Sequence, residues 1–352
     1  MKGLVLEQNG LLVFKDVAEP VVADDECLIA VKNAGICNSD INRAFGNGAY
    51  HYPLIMGHEF SGVVKQIGKR TTKFNNGDHV VVFPLLPCNK CPFCKDEHFA
   101  QCSSYGYYGS RQDGGFAEYI AVNEWNLLKL PDDISLEQAA LIEPIAVALH
   151  SLKKADVQEH EHVAILGAGF IGLVAANVLS MAMDKEKIFI IDRNRSKLTF
   201  ASDFGVNTIC TTETPDWPAM LKKHGIDVVI EMCGATEMFK HSLNIVNNFG
   251  RVIWVGNITG DVTIEKSTVS SILRRELLIK GVWNSSFRHY ENDDWHQAIQ
   301  YLQANSVRNL ITHVVDLRDG AEFLKLLKEK RLTELVGAKK PYIKGLFSII
   351  DN

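Results

Sequence analysis

The sequence predicts an α/β protein in two parts, a β-rich, barrel-like domain followed by a doubly wound parallel sheet. Three observations carry this. The first 140 or so residues alternate short β-type runs with Gly, Asp and Asn turns, whereas the chain beyond about Glu143 alternates apolar strands with helical runs. The second pattern opens on a glycine motif, ILGAGFIG, set between a strand and a helix. With 352 residues the chain is long enough for two cores of ordinary size.

Taken in order, GLLVF, CLIAVKNAG, SGVVKQIG, GDHVVVFP and GGFAEYIAV are short runs rich in β-branched and aromatic residues and bounded by turn formers. After Glu143, PIAVALHSLKKA reads as a helix leading into the strand HVAILGAG, and FIGLVAANVLSMAM continues as a helix before the strand KIFIID. The later strands DVVIEMCG, RVIWVG and LLIKGVW are separated by helix-like segments. Past about Ser286, DDWHQAIQYLQAN and GAEFLKLLKEK are helical, and YIKGLFSII is a weak terminal strand able to rejoin the first domain. The expected division is 1–145, 146–286 and a closing segment 287–352.

The net charge of -5 argues against nucleic acid as a partner, because displacing condensed counterions takes a dense excess of Lys and Arg. The N-terminal MKGLVLEQNG lacks the apolar core and cleavage site of a signal peptide, and no stretch approaches a membrane span. The expectation is a cytoplasmic protein with no membrane partner. Thiols stay reduced there, so clustered cysteines point to metal.

Such a cluster exists. Cys88, Cys91, Cys94 and Cys102 fall within fifteen residues, where an even spread of the chain's eight cysteines would place roughly a third of one. The spacing CxxCxxCx7C lets one loop wrap a tetrahedral ion with four thiolates and leaves no position for substrate, so a zinc held here is structural. Iron fits a thiolate tetrahedron too. Cys27, Cys210 and Cys233 sit in apolar surroundings and read as core residues.

A second set is dispersed: Cys37 in GICNSD, His58 in GHEF and Glu143 in IEP. One thiolate, one imidazole and one carboxylate leave a fourth position open, as a catalytic zinc requires. Spacing alone does not decide between this and three unrelated residues.

The dinucleotide signal is firmer. Gly167, Gly169 and Gly172 form GxGxxG, with Ile171 inside it, and Asp192 ends the next strand twenty residues after the last glycine. That is the context of a Rossmann unit: the glycines allow a tight turn and close backbone approach, the helix N-terminus receives a pyrophosphate, and Asp192 accepts from the adenosine ribose. A carboxylate there repels a 2′-phosphate and favours NAD over NADP, although the adjacent Arg193, with Ile171 a further cofactor-binding candidate, pulls the other way.

With these features in one order, the chain resembles the zinc-containing medium-chain alcohol and polyol dehydrogenases along nearly its whole length. The motifs are GICNSD, GHEFSGVV, GDHVVV, CNKCPFC with Cys102, GGFAEY, EP at Glu143 and LGAGFIG. The resemblance implies a GroES-like catalytic domain, an NAD-binding Rossmann domain, a C-terminal return to the first, and two zinc ions per chain. It implies that Cys37, His58 and Glu143 bind the catalytic zinc, with Glu59 either a ligand or a carboxylate that exchanges onto the metal. It further implies that Asp40 orients His58 and that the Ser39 hydroxyl passes the alcohol proton toward solvent. Glu143 stands where many alcohol-oxidising members have a second cysteine, which is similar to the polyol and threonine branches. FGNGAYHYPLIMGHEFSG, PLLPC and GSRQDGGFAEYI look like members acting on a hexitol phosphate.

The expected substrate is thus a polyol or sugar phosphate, with Arg43, Arg111 and Arg288 as candidates for the phosphate. An unphosphorylated polyol of the sorbitol type and a threonine-type substrate are the alternatives. Family habit implies a homodimer or homotetramer paired through Rossmann edge strands. A zinc-free quinone reductase, or a nucleotide or redox sensor without turnover, would leave the metal set without a purpose. The ending KKPYIKGLFSIIDN departs from the family pattern and is expected to touch none of the ligands.

Overall fold

The structure is a computed structural model and describes residues 1–289, 292–305, 307–332 and 341–350. The first part of the chain forms β1 (Lys2–Gln8), β2 (Leu11–Asp16), β3 (Glu26–Ile36), α1 (Asn38–Phe45), β4 (Leu54–Ile55), β5 (Glu59–Ile67), β6 (His79–Val82), β7 (Leu85–Leu86), α2 (Pro92–Lys95), β8 (Gly106–Tyr107), β9 (Tyr119–Asn123), β10 (Leu127–Lys129), α3 (Leu136–Ala139) and α4 (Ile142–Ala155). There follow β11 (Val163–Leu166), α5 (Phe170–Ala182), β12 (Ile188–Asp192), α6 (Arg195–Ser202), β13 (Asn207–Cys210), α7 (Trp217–His224), β14 (Ile226–Glu231), α8 (Thr236–Ile245), β15 (Val246–Trp254), α9 (Lys266–Arg275) and β16 (Leu278–Gly281). The chain closes with α10 (Asp294–Ala304), β17 (Ile311–Asp316), α11 (Gly320–Glu329) and β18 (Lys344–Ser348). Two compact units result, Met1–Glu143 with Ser286–Asn352, and Pro144–Ser285.

In the first unit, a three-stranded sheet runs β2-β1-β4, and a seven-stranded one runs β10-β6-β5-β3-β18-β17 with β9 also paired to β3. β3 alternates half-buried and buried residues over its first three positions and then carries two runs of three buried ones, as a central strand packed on both faces does. Its partners fix the site: β5 is antiparallel to β3 with Glu59 opposite Gly35, and β18 is antiparallel to β3 with Gly345 opposite Ile36. The ends of three strands therefore meet beside Cys37. Phe60, Phe116 and Phe347 are fully buried in this core, Phe116 and Phe347 edge to face at 4.8 Å. The closing segment packs back through Phe287 and Trp295, whose rings lie 4.6 and 5.3 Å from that of Phe83.

The second unit is a six-stranded sheet in the order β13-β12-β11-β14-β15-β16, every pair parallel. Its inner strands are buried along their whole length, VAIL in β11 and IFII in β12, because helices cover both faces of such a sheet. The first and second elements from the sheet's centre, β11 and β12, are joined by α5, so the glycine motif falls in the β11–α5 turn. No described helix is long and apolar enough to cross a membrane.

Candidate active site

Cys37 is placed by the end of β3 and the start of α1, where it is the N-cap residue. Its N–H donates to Asp40 Oδ2 at 3.0 Å and the Asp40 N–H donates back to the Cys37 carbonyl, so GICNSD locks the thiol-bearing turn by itself. His58 and Glu59 enter from the other side. Gly57 has φ +93°, and a Cβ there would lie 2.3 Å from the Phe116 ring, so only glycine makes this turn and delivers His58 to the start of β5.

One ligand atom from each of Cys37, His58 and Glu59 lies within 4.8 Å of the others. Glu59 is 1% exposed and its Oε1 has no hydrogen-bond partner. Lys344 answers the charge of this carboxylate at Oε2, but Oε1 is a buried acceptor left open beside a thiol and an imidazole, and these three donor types are those zinc takes. The residues fit the metal.

Glu143, in the first turn of α4, stands outside that 4.8 Å set but is buried in the same unit. The Tyr107 hydroxyl donates to its Oε1 at 3.4 Å, and the Tyr107 ring lies 5.8 Å from that of His58. Burial, followed by repulsion from Glu59, pushes its carboxyl up to about 7 against the pull of His58. Asp40 is fully buried, with Oδ1 3.5 Å from His58 Nδ1, long for a hydrogen bond but close for an ion pair. Burial alone would raise the Asp40 carboxyl and lower the His58 ring; their mutual attraction, aided by Arg43 and Cys37, reverses both. Ser39 is half-buried in the first turn of α1, two residues from Cys37.

The four-cysteine loop closes on itself. One Sγ from each of Cys88, Cys91, Cys94 and Cys102 lies within 4.8 Å of the rest, with Cys91 and Cys94 3.5 Å apart. Pro92 at the start of α2 fixes the turn after Cys91, and the Cys88 N–H donates to Cys102 Sγ at 3.3 Å. Backbone N–H groups of Ser103 and Cys94 bring the Cys91 thiol down to about 6, while burial pushes Cys94 up to about 12.

At the glycine motif each residue has a distinct need. Gly167 has φ +115° and faces Cys233, a Cβ at Gly172 would lie 2.0 Å from the Gly167 carbonyl oxygen, and Gly169 caps α5 with open space where its Cβ would be. Asp192 at the end of β12 ties this loop down: its Oδ2 accepts from the Ala168 N–H at 2.9 Å and its Oδ1 from Asn194 N–H at 2.8 Å. Ile171 lies in the first turn of α5, and Arg193 is exposed beside Asp192.

Residues 23–132 match the model of the alcohol dehydrogenase GroES-like domain, and residues 171–304 that of the zinc-binding dehydrogenases. Galactitol 1-phosphate 5-dehydrogenase of Escherichia coli K12 is 34% identical over 89% of this chain and 92% of its own. The chain belongs to the zinc-binding dehydrogenase family. L-Galactonate-5-dehydrogenase of the same strain is 32% identical to this dehydrogenase over 74% of the chain and 78% of that protein. The crystal structure of E. coli galactitol-1-phosphate dehydrogenase superposes with a TM-score of 0.88 at 32% identity, covering 99% of this chain and all of the other. The dehydrogenase is an oxidoreductase acting on CH–OH groups, with a GroES-like and a Rossmann-like part.

Two residues beside the dehydrogenase's Cys37, His58 and Glu59 cluster had not been expected from sequence, and Cys233, in the other unit, is not the core residue expected. Lys344, 4% exposed at the start of β18, forms an ion pair with Glu59 Oε2 and donates to the Ile36 carbonyl at 3.1 Å. The terminal segment therefore does touch a proposed ligand, contrary to expectation; a lone lysine inside the apolar YIKGLFSII was the available signal. Lys339, Lys340, Asp351 and Asn352 of that ending lie outside the described residues. Tyr107 had no signal beyond being a tyrosine. Cys27 and Cys210 are buried, but Cys233 is exposed, because β14 ends at Glu231 and the chain turns out through Gly234 with φ +74°.

The three candidate arginines also separate. Arg43 is committed to Asp40, Nη1 to Oδ1 at 2.9 Å, with its side chain 12% exposed. The Nε of Arg288 is buried without a hydrogen-bond partner. Arg111 lies over the rings of Tyr50 and Tyr105.

Proposed function

We propose that this dehydrogenase transfers hydride between NAD and a secondary alcohol of a polyol or sugar phosphate, with galactitol 1-phosphate and tagatose 6-phosphate as the pair that suits it best. The observation that carries the reading is the cluster of Cys37, His58 and Glu59, with the buried carboxyl of Glu143 near enough to feel the charges of His58 and Glu59. Glu143 in the place of a second thiol points to polyols, and the likeness to galactitol 1-phosphate 5-dehydrogenase points to a phosphorylated one.

In this reading Cys37, His58 and Glu143 hold the catalytic zinc, and Glu59, tied to Lys344, is a fourth donor able to exchange onto it. Zinc bound there supplies Lewis acidity toward the alcohol oxygen. Asp40, at ion-pair distance from Nδ1, orients the His58 ring by charge, which leaves Nε2 for the metal. The Ser39 hydroxyl takes up the alcohol proton and passes it to solvent, a relay worth about 10²- to 10⁴-fold when well placed. Cys88, Cys91, Cys94 and Cys102 hold a second, structural zinc.

Gly167, Gly169, Gly172 and Ile171 form the pyrophosphate cradle. Each Asp192 oxygen accepts one backbone N–H and keeps a lone pair for a ribose hydroxyl, which favours NAD; Arg193 does not bind a 2′-phosphate in this reading. A homodimer or homotetramer through the β16 edge is part of the proposal, since Val269 and Leu273 on α9, Leu278 on β16 and Trp283 just after it expose apolar side chains.

Absorbance of NADH during incubation with galactitol 1-phosphate, galactitol, sorbitol and threonine tests the reading. The phosphorylated hexitol should give the highest kcat/KM. Turnover of none, in protein carrying two zinc ions, would favour the sensor.

A further inference from the structure

We propose that Arg111, Tyr50 and Tyr105 form a subsite for the terminal anionic group of an acyclic sugar substrate, so that Arg111 determines specificity for it. This rests on the polyol reading above and assigns to one of three arginines the task the sequence left open.

The guanidinium carbon of Arg111 lies 4.3 Å from the centre of the Tyr50 ring and 4.2 Å from that of Tyr105. Contact with two aromatic rings holds the guanidinium in place without using its N–H donors. Among the described residues its side chain makes one hydrogen bond, Nη2 donating to the Tyr50 hydroxyl at 3.0 Å. Among the described residues no carboxylate pairs with Arg111, in contrast to Arg43, whose guanidinium is taken by Asp40. An arginine that is oriented but not neutralised presents the planar fork that phosphate and carboxylate oxygens accept in pairs.

The same short segment ties this fork to the metal centre. The N–H groups of Ser110, Arg111 and Gln112 all donate to the Tyr107 carbonyl, at 3.2, 2.9 and 3.2 Å, folding the arginine back over the residue whose hydroxyl meets Glu143. The Tyr105 and Tyr107 rings are 6.3 Å apart, and Tyr107 is 5.8 Å from the His58 ring. Tyr50 comes from the loop after α1, the helix that Cys37 caps. A chain with its reacting carbon at the metal and its charged end at Arg111 would thus lie along Tyr107 and Tyr105. Two relatives are named for substrates of this kind, one with a phosphate and one with a carboxylate.

The test compares kcat/KM for galactitol 1-phosphate, L-galactonate and galactitol in the zinc-loaded parent, Arg111→Met and Arg111→Lys, with calorimetric binding of the first two. The parent should prefer whichever anion it uses over galactitol, and Arg111→Met should cut that preference by about 10- to 100-fold, the worth of a charge-assisted hydrogen bond or two. Arg111→Lys, which keeps charge without the fork, should fall between. The expected binding loss in Arg111→Met matches the loss in preference, which a merely structural role would not produce. A parent that prefers an anion and an Arg111→Met variant that keeps the preference would overturn the subsite and leave the polyol reading standing. A parent that prefers galactitol overturns both the phosphate and the subsite.

Discussion

Lys344→Met removes the cation that faces Glu59 while keeping a side chain of similar length. Both partners are buried, at 4% and 1% exposure, and Glu59 Oε1 already lacks a hydrogen-bond partner. Breaking such a pair from one side leaves an uncompensated charge in a low-dielectric site, which costs about 3–5 kcal/mol. The loss should be largest in chelator-treated protein, because a zinc ion beside Glu59 supplies part of the missing positive charge. Urea unfolding followed by fluorescence measures it: with a slope of about 1–3 kcal/mol per molar urea, the midpoint should fall by roughly 1 M or more. Glu59→Gln with Lys344→Met removes the stranded charge and should recover most of the loss. A single-variant cost below about 1 kcal/mol, or a double variant no more stable than the single, would refute the claim that this ion pair organises the site.

The structural loop gives a second prediction: Cys94→Ser should lose one zinc per chain and sharply raise proteolysis between residues 88 and 102, and an unchanged zinc content would exclude the four-thiolate site. Asp192→Ala, which also frees the Ala168 N–H, should raise the KM for NAD at least tenfold with zinc content constant; unchanged NAD kinetics would count against the ribose role. Glu143 gives a pH dependence. Its carboxyl is raised by burial from an ordinary 4.5 to about 7, so its protonated form is the one folding favours, and that contribution is lost as pH rises through about 7. Chelator-treated protein should therefore lose stability between about pH 4.5 and 7, and Glu143→Gln should flatten the profile; a profile that rises across this window in both would show the sign to be wrong.

Much of this was legible from residue order. The buried runs VAIL and IFII could only be inner strands of a covered parallel sheet, and the glycine motif between β11 and α5 announced its turn because no side chain fits at Gly167 or Gly172. The four cysteines were visible because their loop is local. The dispersed set was harder, since Cys37, His58 and Glu59 come together only through the pairing of β3 with β5, Glu143 approaches them only through the start of α4, and the resemblance to a family was needed to join them. Lys344 could not be placed at all from sequence: its contact with Glu59 depends on β18 aligning beside β3 across more than 280 residues. Cys233 was misread because apolar neighbours do not tell where a strand ends, and the turn at Gly234 carries it outward. Arg43 and Arg111 look alike in sequence; only the position of Asp40 one turn before Arg43 marks the first as already paired.

The central claim is that one chain carries two zinc sites of different duty, and metal content read together with turnover tests it most directly. The parent should hold two zinc ions and reduce NAD with a polyol substrate, whereas Cys37→Ser and His58→Ala should each hold one, keep NAD binding and show no turnover. Either variant retaining two zinc ions and activity within tenfold of the parent would contradict the account.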